Sequence, residues 1–154
     1  MGKDFYADRN RANIIKIKKI IQSLPPYVED YFVGIEPRTS TLTRLNYAYD
    51  LRVFFDYLSK ERFSPLTPNE ITLEKLAEIE SFDFEKFLSY LGNYVDPEGK
   101  TRSCNEQAKK RKLASVRSFF RYFFNKGLLD SNEAAKISLP KIHDKEIVRL
   151  EVNE

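Results

Sequence analysis

Residues 105–127 read NEQAKKRKLASVRSFFRYFFNKG, and the two halves of this stretch differ in kind. From Leu113 onward, Leu113, Val116, Phe120 and Phe123 recur at intervals of three and four, the spacing of one face of an α-helix. From Glu106 to Lys112 the only apolar residue is Ala108. The stretch predicts a single long helix from Asn105 to Lys126, closed by Gly127 in a left-handed conformation. Its second half packs in a core, and its first two turns are expected to stay outside one.

Working outward, Glu36 to Thr41 is a loop rich in capping hydroxyls that opens a second long helix reaching about Arg62. Leu51, Phe54, Phe55 and Leu58 form its buried stripe. A shorter helix is expected from Pro26 to about Val33, ended by Gly34. Before it, Asn10 to Leu24 carries Ile14, Ile17, Lys18 and Ile21 at helical spacing and stops at Pro25–Pro26; Lys16, Lys18 and Lys19 make it a basic arm. After the breaker run Ser64 to Pro68, Thr72 caps a short helix with Leu73, Leu76 and Ile79. Ser81 or Asp83 starts another, with Phe84, Phe87, Leu88 and Leu91 on one face. Asp96 to Gly99 signals a type I turn, and Lys100 to Cys104 is a polar link. Ser131 or Asn132 caps a last turn over Glu133 to Ile137, and Leu139 begins an extended charged tail.

Composition agrees with this pattern. The 154 residues are 42% hydrophobic, with 12 Phe and 9 Tyr but only 5 Gly and 7 Pro, which suits uninterrupted helices better than strands and tight turns. The expected fold is all-α, a compact bundle of four to five main helices with an extra basic helix at the N-terminus. Three parts are expected: an arm over 1–25, a helical domain over 26–138 and a linker over 139–154.

The net charge of +3 says little, but its distribution says more. Arg102 to Lys126 holds eight Lys and Arg against one acid, Glu106, whereas Asn69 to Glu98 holds eight acids against two Lys. A localised positive field suits a protein that neutralises phosphates, and it equally suits a solvated helix face.

Groups for catalysis are sparse. The single His143 lies in the tail, and acid pairs such as Glu78/Glu80 and Asp83/Glu85 belong to helix surfaces. Tyr47, Tyr57, Tyr90, Tyr94 and Tyr122 sit beside Phe or Leu as core or boundary aromatics. No catalytic residue, metal ligand set or cofactor is expected, and five scattered glycines make no phosphate loop. The lone Cys104 points to a reducing setting. With no apolar run of membrane length and no signal peptide, a cytoplasmic protein without membrane partners is expected.

Two blocks carry a family likeness. Thr43 to Leu58, Thr-Arg-Leu-Asn-Tyr-Ala-Tyr-Asp-Leu-Arg-Val-Phe-Phe-Asp-Tyr-Leu, resembles the first long helix of the core-binding domain of phage-type tyrosine recombinases, or integrases. Arg111 to Phe123 resembles that family's Arg-x-Leu-Ser-Ala-Leu/Val-Arg-x-Phe-x-x-Tyr-Leu helix. Gly127, Ser131–Asn132 and Leu139–Pro140–Lys141 follow in the family's order, and the likeness spans about Asp30 to Glu154. It departs at Asn132–Glu133, where the family usually has Asn-Pro, and in the added segment before Pro25.

The resemblance implies a SAM-like helical domain that forms half of a clamp on duplex DNA, with two helices presented to the major groove. It also implies a catalytic domain after the Pro-Lys linker, with Val148 to Glu154 as its entry, and other recombinase protomers as partners on DNA. On this reading Gln107, Lys110 and Arg111 are expected at the groove, and Lys109, Lys112 and Arg117 on phosphates, with Arg102 beside them. Arg38, Thr39, Thr41, Thr43 and Arg44 can meet phosphates at the start of the other helix, and plain N-capping is the alternative for the hydroxyls. The competing reading is a helical protein-interaction or regulatory bundle whose basic helix meets an acidic partner.

Overall fold

A computed structural model describes residues 2–138; His143 and the expected linker and domain entry over 139–154 lie outside the described residues. Among the described residues six α-helices follow in order: α1 Gly2–Ile21, α2 Tyr27–Ile35, α3 Thr41–Tyr57, α4 Leu73–Leu76, α5 Ser81–Tyr90 and α6 Glu106–Asn125. One small antiparallel pair, β1 Tyr94–Val95 and β2 Thr101–Arg102, joins α5 to α6. The chain is an all-α bundle, as its periodicity predicts.

Phenylalanines build the centre. Phe54 of α3 stacks on Phe84 of α5 at 6.0 Å and meets Phe87 and Phe120 edge-on at 5.1 and 5.9 Å. Phe119 of α6 meets Tyr31 of α2 at 5.1 Å and Phe55 of α3 at 5.8 Å. Edge-to-face pairs gain from the ring quadrupole beyond the area they bury, by about 0.5–1.5 kcal/mol each. The stripe Leu113, Val116, Phe120 and Phe123 is buried, and Phe119 widens it. The short turn Glu133–Lys136 closes the far side, with Ala134 and Ile137 in the same core.

Local capping follows the sequence at the starts of α3, α4 and α6, while Asn132 makes no side-chain cap for the last turn. Ser40 accepts the Thr43 amide to start α3, Thr72 accepts the Lys75 amide to start α4, and Asn105 accepts the Ala108 amide to start α6. Glu80 and Asp83 form a capping box for α5. Gly127, at φ 78°, takes the left-handed conformation that ends α6. Beyond Tyr57 the chain runs through a wide π turn over Leu58–Arg62 that keeps Leu58 buried.

Four expectations are corrected. The first helix begins at Gly2 rather than Asn10. Its buried face is Asn13, Ile17 and Ile20, continued by Leu24 just beyond the helix, while Ile14 is exposed. That face is set by α3, because the Asn13 amide donates to Thr41 Oγ1 at 3.1 Å and Thr41 donates on to Asn10 Oδ1 at 2.8 Å. Ile17, Ile20 and Leu24 thus share one core with residues beyond 25.

Gly34 does not end α2. It lies inside the helix, where an added Cβ would come within 2.5 Å of Tyr122 Cε1, so its role is to let α6 approach. The polar link contains a hairpin: Gly99 donates its amide to Asp96 O at 2.9 Å and sits at φ 87°, a type I turn closed by a left-handed residue. Finally, the first two turns of α6 do not all avoid the interior, since Lys112 is buried.

Candidate nucleic-acid interface

Lys112 is buried because α3 supplies its counter-charge. Asp50, 1% exposed, accepts Lys112 Nζ at 3.1 Å on Oδ1, and Arg111 Nη1 at 2.6 Å and Ser115 Oγ at 2.7 Å on Oδ2. A buried carboxylate needs its lone pairs filled, and here three donors from one helix fill them. The consequence for the surface is orientation. Arg111 keeps 53% of its side chain exposed while Asp50 holds its guanidinium, so one edge is anchored and the rest faces outward.

The other candidates divide by what they already touch. Arg117 donates to the carbonyl of Ile137 at 2.6 Å, tying the last turn to α6. Arg102 pairs with Asp96 at 2.8 Å in the hairpin. Arg44 donates to the Thr39 carbonyl at 2.7 Å, to its hydroxyl at 3.0 Å and to the Glu36 carbonyl at 3.2 Å, bracing the turn before α3. Thr39 donates to Ile35 O, Thr41 binds α1 and Thr43 is enclosed in the Ser40 cap. At these three hydroxyls the capping and bracing alternative describes the geometry.

Gln107 and Arg38 are exposed, and Lys109 and Lys110 half-buried; none of the three cations pairs with a carboxylate among the described residues. Lys109 leans towards Gly92 at the end of α5, 3.7 Å from where a Cβ would stand.

Two cations that the sequence reading left aside join this face. Arg121 and Lys126 line a cleft of about 360 Å³ with Arg38, Ser118 and Tyr122. The signal was in the chain: Arg111, Ala114, Ser118, Arg121 and Asn125 repeat at three and four, two residues and hence about 200° from the core stripe. In the wall beside the cleft, Tyr31 exchanges a 2.8 Å hydrogen bond with Ser118. Burial pushes the Tyr31 hydroxyl up to about 12, against the opposing pull of the Ser118 hydrogen bond and of nearby Arg38 and Arg121.

Burial raises Tyr57, Tyr90 and Tyr94 to about 12, so each stays a neutral phenol at physiological pH. Asp83 is engaged by Arg62 at 3.3 Å and by the Glu80 amide. Among the described residues no group of three His, Cys, Asp or Glu is placed to hold a metal ion. No helix there is long and apolar enough to cross a membrane.

The amino-acid sequence is similar to proteins of known family. A tyrosine recombinase XerC of Caldanaerobacter subterraneus subsp. tengcongensis is 27% identical over 142 residues, covering 84% of this chain and 38% of that protein. Over most of its length the chain is similar to tyrosine recombinases. A tyrosine recombinase XerC of Leptospira interrogans is 26% identical over 123 residues, 80% of this chain and 34% of that protein. One of Syntrophus aciditrophicus is 30% identical over 112 residues, 73% of this chain and 33% of that protein. The chain thus spans about a third of the length of the tyrosine recombinases it matches. No family model matches it, and no solved structure does.

Proposed function

We propose that this chain is the DNA-gripping core-binding part of a site-specific tyrosine recombinase, holding duplex DNA at a half-site through the polar face of α6 and the start of α3. The observation that carries the reading is the similarity to tyrosine recombinases across most of the chain. The basic, outward-facing turns of α6 support it. An end of a helix that is free of apolar side chains can enter a major groove while its other end packs in a core.

In this reading Gln107, Lys110 and Arg111 meet the groove, Lys109 and Arg38 meet phosphates, and Thr39, Thr41, Thr43, Arg44, Arg102, Lys112 and Arg117 act from behind by holding the contacting elements in place. Residues 26–138 form the binding domain, with α1 as an addition packed along it and 139–154 as the link to a catalytic domain. Strand breaking and rejoining through a phosphotyrosyl bond belongs to that domain, and assembly with other protomers takes place on DNA.

A salt titration of binding to a fluorescent duplex tests the reading. A half-clamp binds on the order of micromolar or weaker near physiological salt, and log affinity falls linearly with log salt, by about 0.9 per phosphate neutralised. The variant K109Q/K110Q, which leaves the buried Lys112 untouched, is expected to bind more weakly with a shallower slope. Absence of wild-type binding at low salt, or binding indifferent to salt, would overturn the DNA reading in favour of a protein-interaction bundle.

A further inference from the structure

The cleft between the second half of α6 and the turn after α2 shares no lining residue with the Asp50 anchor. Arg38 lines it from the turn Glu36–Arg38, Arg121 from α6 and Lys126 from the C-terminal cap of α6. None of the three pairs with a carboxylate among the described residues, and no acidic side chain lines the cleft. Lys126 Nζ lies over the Tyr122 ring at 5.5 Å, and Tyr122 is itself held by the Asp30 carbonyl at 3.2 Å.

Three like charges around one cleft repel one another, so their convergence needs a reason. Complementing the negative end of the α6 dipole accounts for Lys126, which follows the last turn. It does not account for Arg121, more than a turn earlier, or for Arg38 on another element. An external anion accounts for all three.

We propose that this cleft binds a backbone phosphate of duplex DNA through Arg38, Arg121 and Lys126, a second anchor apart from the groove contacts of the first turns of α6. The inference rests on the DNA-binding reading above and extends it. Arg111 and Arg121 are ten residues apart on one helix, about 15 Å along the axis, while a major groove is about 12 Å wide. A helix whose N-terminal turns enter the groove therefore brings Arg121 to the strand at its rim. Ser118 adds a donor, because when the Tyr31 hydroxyl donates to it the serine hydrogen is free to point at the phosphate. A guanidinium can grip two phosphate oxygens at once, which gives Arg121 and Arg38 the geometry for the task.

The test compares duplex binding by the wild-type chain, by R121Q/K126Q, and by K75Q/K86Q, which removes the same charge from α4 and α5. R121Q/K126Q is expected to lose about tenfold or more in affinity at low salt and to flatten the log–log salt slope by about 0.9. K75Q/K86Q is expected to keep the wild-type slope. If R121Q/K126Q keeps the wild-type slope, or if both variants lose it equally, the cleft is no phosphate site although the chain still binds DNA. If the wild-type chain does not bind the duplex, the DNA reading fails and takes this inference with it.

Discussion

Lys112 of α6 and Asp50 of α3 are both buried and lie 3.1 Å apart, so a lysine in the most basic stretch of the chain is part of its interior. The pair joins the helix that carries the candidate interface to the helix that organises the core. Its loss is expected to be asymmetric. D50A leaves Lys112 buried without a counter-charge and is expected to cost about 3–5 kcal/mol. K112M keeps the aliphatic stem and leaves Asp50 with Arg111 and Ser115, at about 1–2 kcal/mol. Urea midpoints measure both, and equal losses would contradict the arrangement.

Gly34 is expected to resist substitution despite its place inside a helix. Alanine should gain about 1 kcal/mol of helix propensity there, but its Cβ would meet the Tyr122 ring at 2.5 Å. Net destabilisation of about 1–3 kcal/mol is expected from the overpacking. In a Y122S background the same G34A change should cost nothing or stabilise, which thermal melts of the four proteins will show.

The aromatic centre and the aromatic surface should separate cleanly. F54A removes a ring packed against four others and is expected to cost about 3–5 kcal/mol. F82A, at a position 59% exposed, is expected to stay within about 0.5 kcal/mol of wild type. Comparable midpoint shifts in denaturant would mean that the core lies elsewhere.

Acid should weaken the hairpin first. The Arg102 guanidinium and the amides of Lys100 and Glu98 hold the Asp96 carboxyl down at about 2, below its ordinary value of about 3.9. Between these values the unfolded chain binds the proton and the folded one does not. The contribution is therefore complete above about pH 4 and is lost as pH falls towards 2. Glu133, lowered by Lys136, acts in the same direction. Melting temperature is expected to fall across this window in the wild type and to fall less in D96N, which starts lower at neutral pH.

Much of the fold was legible because its determinants are local. Leu113, Val116, Phe120 and Phe123 announce a buried face by spacing alone, and Ser40, Thr72 and Asn105 stand where helices begin. What stayed hidden depends on partners far along the chain. Nothing near Lys112 shows that it is buried, since Asp50 lies 62 residues away. Gly34 looks like a terminator until Tyr122, across the bundle, supplies the reason for it. The α1 stripe was misplaced by the pull of Thr41 on Asn13, and strands of two residues are too short to show alternation. At the candidate interface, residue type identified most of the cations but passed over Arg121 and Lys126, and only the fold separated those already engaged inside the protein from those facing outward.

The most direct test of the central claim is a titration of the isotope-labelled chain with a short duplex, followed by amide chemical shifts. The account predicts that the shifts concentrate on residues 107–111, Ser118, Arg121 and the turn around Arg38, and fade at raised salt. Shifts centred on the acidic segment of α4 and α5, or none at low salt, would contradict it.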